Sequence, residues 1–209
     1  MLGLPKSTEM SKQLPKKAIY TKFQMNTSVK DKIDADISRI TIVNEIAPNK
    51  VNIPAGDEVK SFFVLLVTLK RKDFDEKIIA TLSKLIPQNI LFVLEYNGES
   101  KLAVYRLKVM QTGWKPTEEQ RVGLQGLNLD KVWENIIRSL ELGVWNEELS
   151  VDENIELHEK QAKLKKEIAR LEKQARTEKQ PNKKFELAQR AKALKKLFDK
   201  LYDSKGWCL

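Results

Sequence analysis

One cysteine, Cys208, and one histidine, His158, are all this 209-residue sequence contains of either type. An internal disulfide is therefore excluded, structural zinc and haem lose their usual ligand clusters, and Ser-His or Cys-His catalysis has only a histidine inside a predicted helix to draw on. His158 reads as a solvated helix residue and Cys208, beside the terminus, as incidental. Glycine is scarce, and none of it falls in a GxGxxG or GxxxxGK[ST] pattern, so the phosphate loops of dinucleotide-binding and Walker-type proteins are missing. No apolar run approaches the roughly 20 residues of a membrane helix. The opening MLGLPKSTEM lacks the charged start and apolar stretch of a secretory signal, and the expected location is the cytoplasm. Acidic charge is the minority sign, 29 residues against 38 basic ones, for a net +9. Residues 151–209 hold 16 Lys and Arg against 10 Asp and Glu, or +6, so the excess sits mostly in the last quarter of the chain. Such a bias suits phosphate backbones or an acidic partner, and equally the solvated faces of Lys-rich helices.

What is present is organised around Val59–Leu69, VKSFFVLLVTL. Its aromatic and β-branched residues run without alternation, the pattern of a central strand covered on both faces. Asp73 and Glu76 have capping-box spacing, and Phe74, Ile78, Ile79, Leu82, Leu85 and Ile86 recur at helical period up to Pro87. Strands at Ile90–Tyr96 and Lys101–Val109 flank Asn97-Gly98, the dipeptide suited to the two positive φ angles of a type I′ turn. Upstream, Pro5, Pro15 and the Lys16-Lys17 pair suggest an extended arm. Ser28 and Asp31 are placed to cap a short helix with Val29, Ile33 and Ile37 on one face. Arg39–Ala47 reads as a strand, Val51 and Ile53 as a brief one. Downstream, Gln111–Gln125 is irregular, and Asp130 is expected to cap a helix bearing Val132, Trp133, Ile136, Ile137 and Leu140 inward and ending near Gly143. Trp114, Trp133 and Trp145 are expected to pack rather than stack on bases. The expectation is an α/β (α+β) globular domain with a mixed sheet over residues 1–150.

Residues 151–209 change character. Leu157, Gln161, Leu164, Ile168, Leu171 and Ala175 step alternately by 4 and 3, as do Leu187, Ala191, Leu194, Phe198 and Leu201, with a break around Thr177–Lys183. Two basic helices folding back as an antiparallel coiled-coil hairpin are expected; use of the same seam between two chains, as a homodimer, stays open. Each helix would span roughly 30–35 Å at 1.5 Å per residue. The candidate nucleic-acid-binding residues are Lys165, Lys166, Arg170, Lys173, Arg176, Lys179, Lys183 and Lys184, which gather toward the tip and could follow a phosphate backbone without reading sequence.

The one catalytic constellation the sequence offers is carboxylate-based. Asp57, Glu58 and Lys60 stand at the entrance to the central strand, with Asp34, Asp36 and Glu45 on earlier elements. Two carboxylates and a lysine can hold a divalent metal that activates water against a phosphodiester, and the element order resembles the core of restriction-endonuclease-like nucleases. In that family the acidic residue and lysine sit inside the strand, whereas Glu58 and Lys60 stand before it, where charges keep a hydrophobic strand end soluble. No cofactor is expected, Mg²⁺ entering only with the nuclease alternative.

The tail carries Leu171-Glu172-Lys173, Glu178-Lys179-Gln180, Asn182-Lys183-Lys184 and Glu186-Leu187. The front carries Leu4-Pro5-x-Ser7-Thr8, Pro15-Lys16, Arg39-Ile40-Thr41, Ile86-Pro87 followed by Ile90-Leu91-Phe92, and the stretch Leu127–Leu140. Together these resemble the bacterial family named domain of unknown function 4391, across nearly the whole chain. Ile42, Pro181 and Ala188 depart from its pattern, standing where a tryptophan, a hydrophobic residue and an asparagine are usual. The resemblance implies a genomic context, beside helicases and DNA methyltransferases of restriction-modification and phage-defence loci, and no activity. The expected function is a non-enzymatic accessory subunit that binds a helicase or methyltransferase and assists nucleic-acid contact. The alternatives are the metal-dependent nuclease and a stand-alone, non-specific nucleic-acid-binding protein.

Overall fold

A computed structural model describes residues 2–140 and 145–203, the side chains of 201–203 excepted. The expected helix end at Gly143, the seam side chain of Leu201, and Cys208 lie outside the described residues. The chain divides into two compact units, residues 1–142 and 143–209.

The first unit is built on a mixed sheet in the order β1 (Glu9–Gln13), β2 (Ile37–Ile46), β3 (Phe62–Leu69), β4 (Asn89–Tyr96), β5 (Glu99–Arg106), β6 (Lys108–Gln111), with β7 (Lys115–Pro116) on the free part of β5. Only β3 and β4 run parallel. Antiparallel neighbours can be joined by tight turns, but a parallel pair needs a crossover, and α4 (Lys77–Leu85) supplies it.

The unbroken apolar run of β3 has the expected cause. Its odd-numbered residues, with Ile40, Ile90, Phe92 and Leu94, enter a core closed by α1 (Lys16–Lys22), α2 (Thr27–Asp36) and α4. Phe62 and Val64, both fully buried, face the other way, where α5 (Leu129–Leu140) packs and the Phe62 and Trp133 rings lie 5.0 Å apart. On this side Asn44 is buried and donates to the Thr8 hydroxyl at 2.9 Å, which ties the first residues of the chain to β2. The hairpin turn forms as its sequence requires, with Asn97 at φ 49° and Gly98 at φ 82°.

Several boundaries differ from expectation, each for a local reason. The leading segment is no free arm: β1 pairs with β2, and α1 follows. Asn26, not Ser28, caps α2 by accepting from the Val29 N–H, which starts the helix two residues earlier than expected, at Thr27. Residues Pro48–Val51 form one helical turn instead of a strand, with Pro48 at its start and Asn52 closing it in the left-handed region. Helix α4 begins at Lys77, because the Asp75 carboxylate accepts from the Lys77 N–H and no Asp73–Glu76 capping box forms. The central strand starts three residues late, at Phe62, since residues 56–60 are held as a loop.

The second unit is a helical hairpin. Ser150 and Glu153 form a capping box at the start of α6 (Val151–Thr177), and Asn154 donates to three carbonyls of the preceding turn, those of Asn146, Leu149 and Ser150. Residues 178–180 make the turn. Pro181, whose missing N–H is no loss at a first helical position, opens α7 (Pro181–Asp203). The helices run antiparallel: Lys195 meets Glu172 at 2.6 Å, and farther from the turn the Lys165 ammonium lies 5.3 Å from the Phe198 ring centre. Between them Ile168, Leu171, Ala175 and Ala191 are buried, which are seam positions of the 4-3 pattern. His158 is half-buried with its ring edge-on to Trp145 at 5.4 Å, and so is not the solvated residue expected.

Candidate functional site

Asp57, Glu58 and Lys60 lie in the loop before β3, all three exposed. The loop is organised by a carboxylate distant in sequence. Asp130, in the first turn of α5, accepts from the backbone N–H groups of Asp57 (2.6 Å), Glu58 (3.2 Å) and Val59 (2.7 Å). The Val59 N–H, and then those of Asp57 and Glu58, hold the Asp130 carboxyl below the usual carboxylate range. Lys60 turns back and donates to the Gly56 carbonyl at 2.8 Å. Asp130 thus does not cap its own helix; Asn128 does, accepting from the Lys131 N–H.

The other carboxylates of the constellation are spread over separate structural ties. Asp34 pairs with Lys16 at 2.5 Å and accepts from the Tyr20 hydroxyl. Its pKa is lowered, first by the Lys16 hydrogen bond, while burial and Asp34 push the Tyr20 phenol well up. Asp36 is fully buried and takes Arg71 at 2.5 Å and the Asp75 N–H at 2.9 Å, which fastens the β3–α4 loop. Glu45 pairs with Lys50 at 2.6 Å. Among the described residues no group of three or more His, Cys, Asp or Glu is placed to hold a metal ion.

Sequence reasoning missed Lys101. It lies at the end of the sheet where β3 finishes, with its side chain 9 % exposed and its ammonium between the rings of Phe74 (5.0 Å) and Trp114 (5.2 Å). The Lys72 ammonium also approaches Trp114, at 5.1 Å, and pairs with Glu99. Burial holds the Lys101 ammonium below its ordinary value of 10.5, partly offset by Glu76 at 4.0 Å. A lysine with a lowered folded value carries a stability penalty that is complete at neutral pH and fades as pH rises through the folded value towards 10.5. Lys101→Met keeps the volume and the ring contacts without the desolvated charge. Its expected effect is unchanged or higher stability at pH 7, with the alkaline rise of the wild-type chemical-denaturation midpoint flattened; a large loss of stability would show that the charge itself is needed.

On the hairpin, all eight basic residues singled out from the sequence are exposed. Of these, Arg170 alone is held in an ion pair among the described residues, to Glu167 at 2.6 Å. Arg176, Lys192 and Lys195 rim a groove of about 270 Å³ floored by Ala175, Ala188 and Ala191. Lys195, and then Arg176, draw the Glu172 carboxyl below its usual range.

Fold and surface together define an α+β domain with a mixed sheet, followed by a basic helical hairpin. The sequence model of the family described as Domain of unknown function (DUF4391) matches residues 2–197, and the chain belongs to that family. No curated protein and no solved structure matches. No helix among the described residues is long and apolar enough to cross a membrane.

Proposed function

We propose that this chain is a non-enzymatic accessory subunit of a bacterial DNA-defence complex, of the restriction-modification or anti-phage kind. It binds a helicase or methyltransferase and assists nucleic-acid contact through the hairpin. The observation that carries the reading is the basic surface of the hairpin, where Lys165, Lys166, Lys173, Arg176, Lys179, Lys183 and Lys184 are all exposed. Ammonium and guanidinium groups on one helical element neutralise phosphates and supply affinity, with little sequence discrimination. The nuclease alternative has less support: Asp57, Glu58 and Lys60 lie exposed in a loop before β3, with Lys60 turned back to the Gly56 carbonyl, and Asp34, Asp36 and Glu45 are each tied to a different lysine or arginine.

Tagged purification from the native host, at moderate salt and after nuclease treatment, tests the reading. A helicase or methyltransferase at fixed stoichiometry is expected. A protein that emerges alone, yet binds duplex DNA, would replace this reading with that of a stand-alone binder.

A further inference from the structure

A cleft of about 380 Å³ opens in the first unit between α1 and the sheet, within the range of about 300–1,000 Å³ typical of clefts that seat ligands. It exists because α1 has only seven residues, roughly 10 Å of helix, and cannot cover the sheet face below it. Leu14, Phe23, Ile42, Phe63 and Ile86 consequently pack against the core yet stay partly exposed along the cleft. Its charged lining residues are Lys12, from the edge strand β1, and Lys22, at the end of α1; no carboxylate among the described residues lines it. Lys22 sits over the Phe23 ring at 5.4 Å, and neither lysine is in an ion pair among the described residues.

We infer that this cleft is a docking site for a segment of a partner protein that presents a large apolar side chain flanked by carboxylates. Seating the side chain removes the exposed apolar surface from water. Carboxylates beside it would meet Lys12 and Lys22 at a partly desolvated rim, where opposite charge fixes register and excludes basic segments. A second copy of this chain fits poorly. Among the described residues, its exposed large hydrophobics include Leu107, between Arg106 and Lys108, Leu197, beside Lys196, and Phe185, which has a carboxylate, Glu186, on one side only and Lys184 on the other. Leu127, the fourth, has Asp130 as its nearest acid, and that carboxylate is engaged by the loop before β3. The inference rests on the accessory-subunit reading and adds the chemistry of the docked segment.

The test is selection of phage-displayed random 12-residue peptides on the immobilised full-length chain, followed by titration calorimetry of the enriched peptides. The expected consensus is a Leu, Phe or Trp with Asp or Glu on either side. Binding should fall at least tenfold in Ala18→Trp, which fills the cleft from α1, and at least tenfold in Lys12→Glu/Lys22→Glu, which leaves the cleft open and reverses its rim. If Ala18→Trp fails to fold, the charge-reversed pair decides alone. No enrichment, a basic or charge-free consensus, or affinity untouched by the rim reversal would overturn the proposal. So would binding of sodium decanoate in the cleft without any peptide, since an acyl chain would then be the occupant. The selection does not depend on DNA, so it can fail while the hairpin still binds nucleic acid, and the reverse.

Discussion

Phe62→Ala lowers stability by about 3–5 kcal/mol, the range for truncating a large aromatic in a core. Phe62 is fully buried at the first position of β3, and its ring meets Trp133 at 5.0 Å and 48°. The substitution removes the apolar burial and leaves a cavity between the sheet and α5, two contributions that add where surrounding elements cannot collapse. Collapse is hindered here because β3 is hydrogen-bonded on both edges, to β2 and to β4. Urea unfolding followed by tryptophan fluorescence and far-UV circular dichroism checks the value. A loss under about 1 kcal/mol would mean that this face of the sheet is not a close-packed core.

Gly56→Ala is expected to lower stability by about 1–3 kcal/mol, as overpacking does, and to have almost no effect in an Asp130→Ala background. A Cβ at Gly56 would lie 2.0 Å from Asp130 Oδ1 and 2.1 Å from its Cγ. The backbone at Gly56 is outside the left-handed region, so the conflict is one of space, and the three nearest atoms all belong to the Asp130 carboxylate. That carboxylate cannot swing away without abandoning the N–H groups of Asp57, Glu58 and Val59. Asp130→Ala removes those three bonds and the obstacle together, so the two substitutions should be strongly non-additive. Additive effects in the double-mutant cycle would show that Asp130 does not organise the loop before β3.

How far the sequence revealed the molecule depended on how local each signal was. The apolar run of β3, the Asn97-Gly98 turn and the two helices of the 4-3 stretches are carried by neighbouring residues, and each element is present, β3 beginning at Phe62 and not at Val59. Helix starts were less legible. Asn26 and Ser28 are both good caps, and the choice between them depends on how the chain leaves α1. The role of Asp130 was hidden because its partners lie more than 70 residues away, and an aspartate in a first turn has a sufficient local explanation as a cap. Lys101 was hidden for a related reason. In the strand pattern it is a polar residue beside a turn, and only the approach of Phe74 and Trp114 from other elements makes it a buried cation. The basic residues of the hairpin were legible because exposure on a two-helix element follows directly from which positions form the seam. The cleft beside α1 had no local sign at all: it arises from the shortness of a helix and the breadth of the sheet beneath it.

The central claim, that the hairpin contacts phosphates, is tested most directly by DNA affinity as a function of salt. Fluorescence anisotropy with a labelled duplex of mixed sequence, between about 50 and 200 mM salt, would compare the wild-type chain with Lys173→Glu/Arg176→Glu/Lys183→Glu/Lys184→Glu. The wild type should weaken steeply with salt, with a log–log slope near −0.9 for each phosphate neutralised. The variant should bind about 100-fold or more weakly at the lower salt, with a visibly shallower slope. Equal affinity and equal slope in the two proteins, or a wild-type affinity indifferent to salt, would contradict the account.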